Sequence, residues 1–246
     1  MQLKLEDILN HKKLDYSLEV VESINKDMIG RVAMNAEHGA THILYLVKEL
    51  MGDACKKVLD IGTLWGGSML TMMQTVYKSH YVSIDYFNGY YKSRTGLTED
   101  PVSGGTNTIS SVNSNVVKHN KHKHLYNLIE GSSHDSSVIE KVNSILGSSI
   151  DLLFIDGDHT KKGVIQDWDD YAKLVSEGGI VIFDDYWSGN LAEHAWVHKA
   201  HWTEPKAMDI VGAYEEIKTR SDFLTEWTEV GLIKDKKIVQ RKKDGI

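Results

Sequence analysis

Five short apolar runs, each closing on a glycine or an acid, constrain what this chain can fold into more than any other feature. Lys57 to Ile61 ends at Gly62, Tyr81 to Asp85 ends on its own aspartate, and Leu125 to Glu130 gives way to Gly131. Ile150 to Asp156 and Ile180 to Asp184 are apolar nearly throughout, as expected of strands covered on both faces. Between the runs the apolar period becomes helical: Ser68 to Lys78, Val138 to Leu146 with Gly147 as its stop, and Lys161 to Val175 ahead of Gly178 and Gly179. This alternation predicts an α/β fold, a doubly wound and mostly parallel sheet with helices on both faces. Another helix is predicted over Ile210 to Lys218. Phe223 to Glu229 and Lys237 to Arg241 read as strands joined through Gly231, a hairpin that would leave an antiparallel strand at the sheet's edge.

The first 55 residues read as helical, with Leu18, Val21 and Ile24 on one face and His42 to Met51 forming a further segment. They are expected to cover the sheet or to form a contact between copies, ahead of a main domain over 56–246. Two stretches break the pattern. Phe87 to Gly105, with Asp100-Pro101-Val102-Ser103-Gly104-Gly105, has neither period, and Tyr186 to Ala207 is rich in Trp and His. Both follow strand ends, on the edge where open α/β sheets bind ligands.

Composition excludes several functions. At 246 residues, 41% hydrophobic and 26% charged, the chain has material for a large core and does not resemble a disordered one. No apolar run approaches the roughly 18 to 20 residues of a membrane span. Glu6 and Asp7 stand where an export signal would need an apolar core. Cys55 is the only cysteine, so neither an internal disulfide nor a cysteine zinc site is available. The expectation is a soluble cytoplasmic protein. A net charge of −7 offers no general attraction to nucleic acid or to an anionic membrane. The local basic run of Lys234, Lys236, Lys237, Arg241, Lys242 and Lys243 reads as a solvated edge strand and tail.

Val58-Leu59-Asp60-Ile61-Gly62-Thr63-Leu64-Trp65-Gly66-Gly67-Ser68 is the most informative stretch. A strand runs into a glycine turn and a helix follows at once. Gly62 permits the turn, while Gly66 and Gly67 would let a ligand approach without a Cβ in the way. The spacing is not the Gly-x-Gly-x-x-Gly of nicotinamide and flavin binders. Asp60 at the strand end would repel a phosphate but accept from an ammonium group. Asp85, 23 residues beyond Gly62, closes the next strand and is placed to accept from both hydroxyls of a ribose. Glycine turn and two acids together describe a nucleoside with a cationic tail, and S-adenosylmethionine fits that description.

With these residues the chain resembles the class I S-adenosylmethionine-dependent methyltransferases. Phe154-Ile155-Asp156-Gly157-Asp158-His159 and Ile180-Val181-Ile182-Phe183-Asp184-Asp185-Tyr186 are similar to the metal-dependent O-methyltransferase branch, nearest the macrolide-sugar and cephamycin-type enzymes and more distantly catechol O-methyltransferase. The resemblance covers roughly residues 55 to 185. It implies a Rossmann-like seven-stranded sheet with a reversed last strand, and puts Glu130, Gly131, Ser132 and Ser133 beside the adenine. Thr63 and Ser68 belong to the same expected cofactor set.

Asp156 ends the fourth run, and Asp184 and Asp185 end the fifth. Neighbouring strands lie about 4.8 Å apart, so the three carboxylates can converge on one edge. Such a set repels itself without a cation and, being all oxygen, points to Mg²⁺ or Mn²⁺. Consecutive strand residues face opposite sides, so Asp184 and Asp185 share one ion only if the strand has already ended. The ion would bind a hydroxyl of a small-molecule acceptor, with Asp156 beside cofactor and metal alike and His159 as general base. The resemblance agrees, since a histidine holds this place in the macrolide-sugar enzymes and a lysine in the catechol enzymes. Asp158 is expected to cap the next helix. His194, His198 and His201 read as a lid helix with Trp187, Trp196 and Trp202, and His119, His122 and His124 as the surface end of a helix. Trp65, Tyr90 and Tyr91 are read either as lining the acceptor pocket or as buried in the core. Two other readings compete: a metal-dependent glycosyltransferase using Asp156-Gly157-Asp158, which leaves Asp85 without a task, and a catalytically silent cofactor-binding module.

Overall fold

A computed structural model of the chain describes residues 11–32, 39–88, 99–100, 102–186, 208–233 and 235–243. Tyr90, Tyr91, Trp187, His194, Trp196, His198, His201, Trp202 and Lys234 lie outside them. Seven strands form one sheet: β1 (Lys57–Ile61), β2 (His80–Asp85), β3 (Leu125–Glu130), β4 (Ile150–Ile155), β5 (Val175–Phe183), β6 (Trp227–Ile233) and β7 (Lys236–Arg241). The helices are α1 (His11–Asp27), α2 (Ala40–Tyr45), α3 (Gly67–Met72), α4 (Ile109–His119), α5 (Ser136–Leu146), α6 (Lys161–Tyr171), α7 (Ile210–Ile217) and α8 (Ser221–Glu226). The strand order is β3-β2-β1-β4-β5-β7-β6. β1 to β5 are mutually parallel, and β7 runs antiparallel to both its neighbours. The order reverses between β1 and β4, which is where an open α/β sheet leaves its ligand crevice.

Side chains that alternate along each strand feed two cores. Val58, Tyr81, Leu152, Phe154, Ile180 and Ile182 pack with Val21 and Ile24 of α1 and with α2, α3 and α4. Leu59, Val82, Leu153, Ile155, Val181 and Phe183 pack on the other face with α5, α6 and α7. Because Val21, Ile24 and Val58 share one cluster, the described part of the N-terminal segment is built into the sheet's core.

Several elements depart from the expectation. α3 stops at Met72, six residues early, and Val76 is exposed instead of lining a helical face. Gly178 and Gly179 lie inside β5: Gly178 adopts φ +77, and β-carbons added at Gly178 and Gly179 would come 2.7 Å from Lys243 and Val175. The two glycines thus absorb an irregularity within one strand. Phe223 to Glu226 is helical, because the α8 turn aims Phe223 at the rings of Trp168 and Tyr214. Gly231 sits within β6 at a register shift, and the β6–β7 connection comes later, ahead of Lys236. The basic run is not an edge strand either. β7 lies between β5 and β6, and Lys236 is buried.

Candidate active site

Backbone hydrogen bonds align the carboxyl ends of five strands. Gly131 N–H donates to Asp85 O, Gly62 to Ile84 O, Asp156 to Ile61 O and Asp184 to Ile155 O, at 2.9–3.0 Å. Four positions singled out from the sequence therefore stand in one row. Gly62 has φ +94, and a β-carbon there would lie 2.0 Å from Asp156 O. Close approach of the glycine turn to the end of β4, as well as the turn itself, demands glycine at this position. Gly66, at φ +87, precedes α3 and lets it start with Gly67, which is buried.

Asp60 is wholly buried and both its oxygens are engaged, Oδ1 by Ser68 Oγ at 2.8 Å and Oδ2 by Ser83 Oγ at 2.5 Å. Thr63 Oγ1 lies 2.6 Å from Ser83 Oγ and completes the chain. Burial pushes the Asp60 carboxyl up to about 7, against the pull of the two serines. A carboxylate so occupied braces the loop; the ammonium contact expected of it would have to displace these hydroxyls. Asp85 accepts from Leu64 N–H at 2.7 Å, Phe87 N–H at 2.9 Å and Asn107 Nδ2 at 3.4 Å. Burial raises its pKa while those donors resist the rise. These donors occupy much of a carboxylate's roughly four acceptor positions, so a ribose would share Asp85 with them. Leu64, at φ +45, and Phe87, at φ +48, are strained residues beside it, as backbone at ligand sites often is.

Trp65 is not open to a pocket. Its Nε1 donates to Asp100 Oδ2 at 2.8 Å, and Gly30 fits against its ring. Asp100 also accepts from Arg31 Nε at 2.9 Å, Val102 N–H at 2.9 Å and Ser103 Oγ at 2.7 Å. Burial acts to raise this carboxyl, but Arg31 and the other donors outweigh it and hold its pKa below the ordinary value. Asn115 adds a clamp, donating to Ile29 O and Trp65 O at 2.9 and 3.0 Å. The links from Asp100 to Arg31 and Trp65, and from Asn115 to Ile29 and Trp65, were not legible beforehand, since each joins distant parts of the chain.

On the far side of the turn, Ser132 Oγ accepts from His134 N–H at 3.2 Å and Ser133 Oγ donates to Asp167 Oδ1 at 2.7 Å. Asp167 is buried, its Oδ2 has no partner among the described residues, and burial pushes its carboxyl up to about 7. Glu130, the last residue of β3, is exposed. His119 and His124 are buried rather than superficial, and His124 Nε2 faces Met73 O and Thr75 O.

β5 ends at Phe183 and Asp185 adopts φ +51, so the alternation that would separate Asp184 from Asp185 has already been broken. His159 Nε2 lies 3.0 Å from Asp156 Oδ1, and its Nδ1 lies 3.5 Å from Asp185 Oδ2. Asp156, His159 and Asp185 offer ligand atoms all within 4.8 Å of one another, and so do Asp184, Asp185 and Asp235. Asp184 is 3% exposed, and its Oδ1 takes both Asp185 N–H and the ammonium of Lys236. Burial and the neighbouring carboxylates raise the pKa of Asp156 and Asp184, Lys236 opposing both. The carboxylates suit a hard divalent ion, and their mutual repulsion is what a bound cation would relieve. Asp158 is not the helix cap. Thr160 caps α6 by accepting from Gly163 N–H at 3.0 Å, and Asp158 Oδ1 takes Thr160 N–H at 2.9 Å. Lys236 was missed because its neighbours in sequence suggest a solvated charge run.

A seven-stranded sheet in this order, with a glycine turn and acids at its switch point, is the Rossmann-like methyltransferase fold. The chain belongs to the family described as "Methyltransferase domain", whose model matches residues 59–186. Uncharacterized protein R132 of Acanthamoeba polyphaga mimivirus is 31% identical over 163 residues, covering 66% of this chain; the chain spans 64% of that relative's length. The O-methyltransferase NovP superposes with a TM-score of 0.61 at 15% identity, covering 94% of this chain and 98% of NovP. MycE methyltransferase from the mycinamycin biosynthetic pathway, solved with Mg and SAH, superposes at 0.54 and 14% identity, over 95% of this chain and 56% of MycE. Among the described residues no helix is long and apolar enough to cross a membrane.

Proposed function

We propose that this chain is an S-adenosylmethionine- and divalent-metal-dependent O-methyltransferase that acts on a hydroxyl of a small molecule, a sugar or glycosylated natural product. The close approach of Gly62 to Asp156 O supports this reading most directly, because it sets the glycine turn and Asp85 against the Asp156–His159–Asp185 cluster. Cofactor end and metal end are then two sides of one turn. Asp85 would accept from the ribose, with Gly62, Thr63, Gly66, Gly67 and Ser68 shaping the turn and Gly131, Ser132 and Ser133 flanking the adenine. Asp60 holds that shape through Ser68 and Ser83. Mg²⁺ or Mn²⁺ would be held by Asp156 and Asp185 with Asp184 beside them, and would lower the pKa of the acceptor hydroxyl.

S-adenosylmethionine, when bound, would supply a methyl on a sulfonium sulfur that keeps the C–S electron pair as the methyl passes to the acceptor oxygen. The protein's task is to position the oxygen and to take its proton. The imidazole of His159, held between Asp156 Oδ1 and Asp185 Oδ2, stands beside the carboxylates that would hold the ion and is the group proposed to take that proton. A cytoplasmic location is proposed with this reading, since the buried thiol of Cys55 needs no oxidising compartment. The test is methyl transfer from labelled S-adenosylmethionine to a panel of hydroxylated sugars and glycosides. Turnover that needs Mg²⁺ or Mn²⁺ and stops with EDTA supports the proposal; labelling of none of them, or labelling indifferent to EDTA, contradicts it.

A further inference from the structure

Lys236, with its neighbour Asp235, belongs to the acidic edge but takes no part in the proposed reaction. It is 1% exposed, at the first position of β7, and its ammonium contacts Asp184 Oδ1 and lies 2.5 Å from Asp235 Oδ1. Gly39 makes room for its stem, since a β-carbon there would lie 3.2 Å from Lys236 Cε. A buried ammonium is costly unless carboxylates compensate it, so this one is placed for its partners. Four carboxylates, Asp156, Asp184, Asp185 and Asp235, crowd this edge, and among the described residues Lys236 is the permanent cation in contact with them. Asp184 Oδ1 is already shared between Lys236 and Asp185 N–H, so an ion drawn to this carboxylate would meet the ammonium beside it.

We propose that Lys236 is a resident counter-cation of the metal site: it keeps Asp184 and Asp235 assembled before a divalent ion arrives, and its charge beside Asp184 weakens that ion's binding. The inference rests on the metal-dependent reading above. It separates two roles, since a lysine that only packed would matter equally with and without metal. The charge argument instead ties its effect to the ion.

Lys236→Met removes the charge at similar length, and Lys236→Gln also keeps a donor for the two carboxylates. Mn²⁺ binding is followed by the electron paramagnetic resonance of free Mn²⁺, and thermal melting is recorded in EDTA and in Mn²⁺. Both variants are expected to melt below wild type in EDTA, to recover most of that loss in Mn²⁺, and to bind Mn²⁺ at least ~10-fold more tightly, as removal of a like charge a few ångströms away requires. Lys236→Arg is expected to stay within about threefold of the wild-type Kd. Wild-type binding with unchanged Kd in Met and Gln variants, and an equal melting loss in both buffers, would overturn the inference alone. Absence of Mn²⁺ binding in wild type and variants would overturn the metal reading itself.

Discussion

A β-carbon on Gly62 would lie 2.0 Å from the carbonyl oxygen of Asp156, and that approach fixes the distance between the two halves of the proposed site. Gly62→Ala must therefore move backbone as well as strain a residue at φ +94. Denaturant unfolding should show a loss of about 3 kcal/mol, the upper range for single substitutions. S-adenosylhomocysteine affinity should fall with it, because the turn cannot keep its shape against β4.

Asp60 gives the fold a pH dependence of defined sign. Its folded pKa, about 7, is above the ordinary carboxylate value, so between roughly pH 4 and 7 the folded state holds a proton that the unfolded chain has released. Stability should thus rise as pH falls from 8 toward 5, by up to about 1.4 kcal/mol per unit for one such group. Melting curves in EDTA across that range check it. Asp60→Asn should flatten the slope without abolishing it, because Asp167 is displaced in the same direction.

Arg31, Asp100 and Trp65 tie the N-terminal helices to the glycine turn through a buried carboxylate. Asp100→Asn removes the charge from a buried carboxylate that pairs with Arg31 and should cost about 1 to 3 kcal/mol. The pKa of Asp100 is held below the ordinary value, so this contribution is present above about pH 4 and is lost as pH falls through the lower, folded value. Comparing wild type and variant by urea unfolding at pH 7 and pH 3 should show a larger difference at the higher pH.

His159, 4% exposed, faces a carboxylate with each ring nitrogen. His159→Ala should lower kcat by about 10² to 10⁴, the usual range for a positioned general base, and leave S-adenosylhomocysteine affinity within about threefold. Near-normal turnover at saturating acceptor would remove the role.

Much of this was legible in the sequence where local chemistry decides. β1 and β3 match their predicted bounds because a glycine follows each strand directly, and the acids at strand ends fell into one row because parallel register leaves them no other place. Residues whose state depends on distant partners were not legible. Phe223 to Glu226 has strand-like composition, yet the aromatic cluster around Trp168 is better filled from a helix. Lys236 sits in a basic run that looks solvated until β7 is inserted between β5 and β6 and meets Asp184. Asp60 was expected to face a ligand, and nothing near it in sequence announces Ser83, which comes from the neighbouring strand.

The central claim is that the turn between Gly62 and Gly67, with Asp85, holds the nucleoside of S-adenosylmethionine. Calorimetric titration with S-adenosylhomocysteine, on wild type and Asp85→Ala, tests it most directly. The account predicts roughly micromolar binding to wild type and a loss of about 100-fold or more in the variant, as two hydrogen bonds to a charged acceptor would give. No heat of binding to wild type, or equal affinity for both proteins, would contradict it.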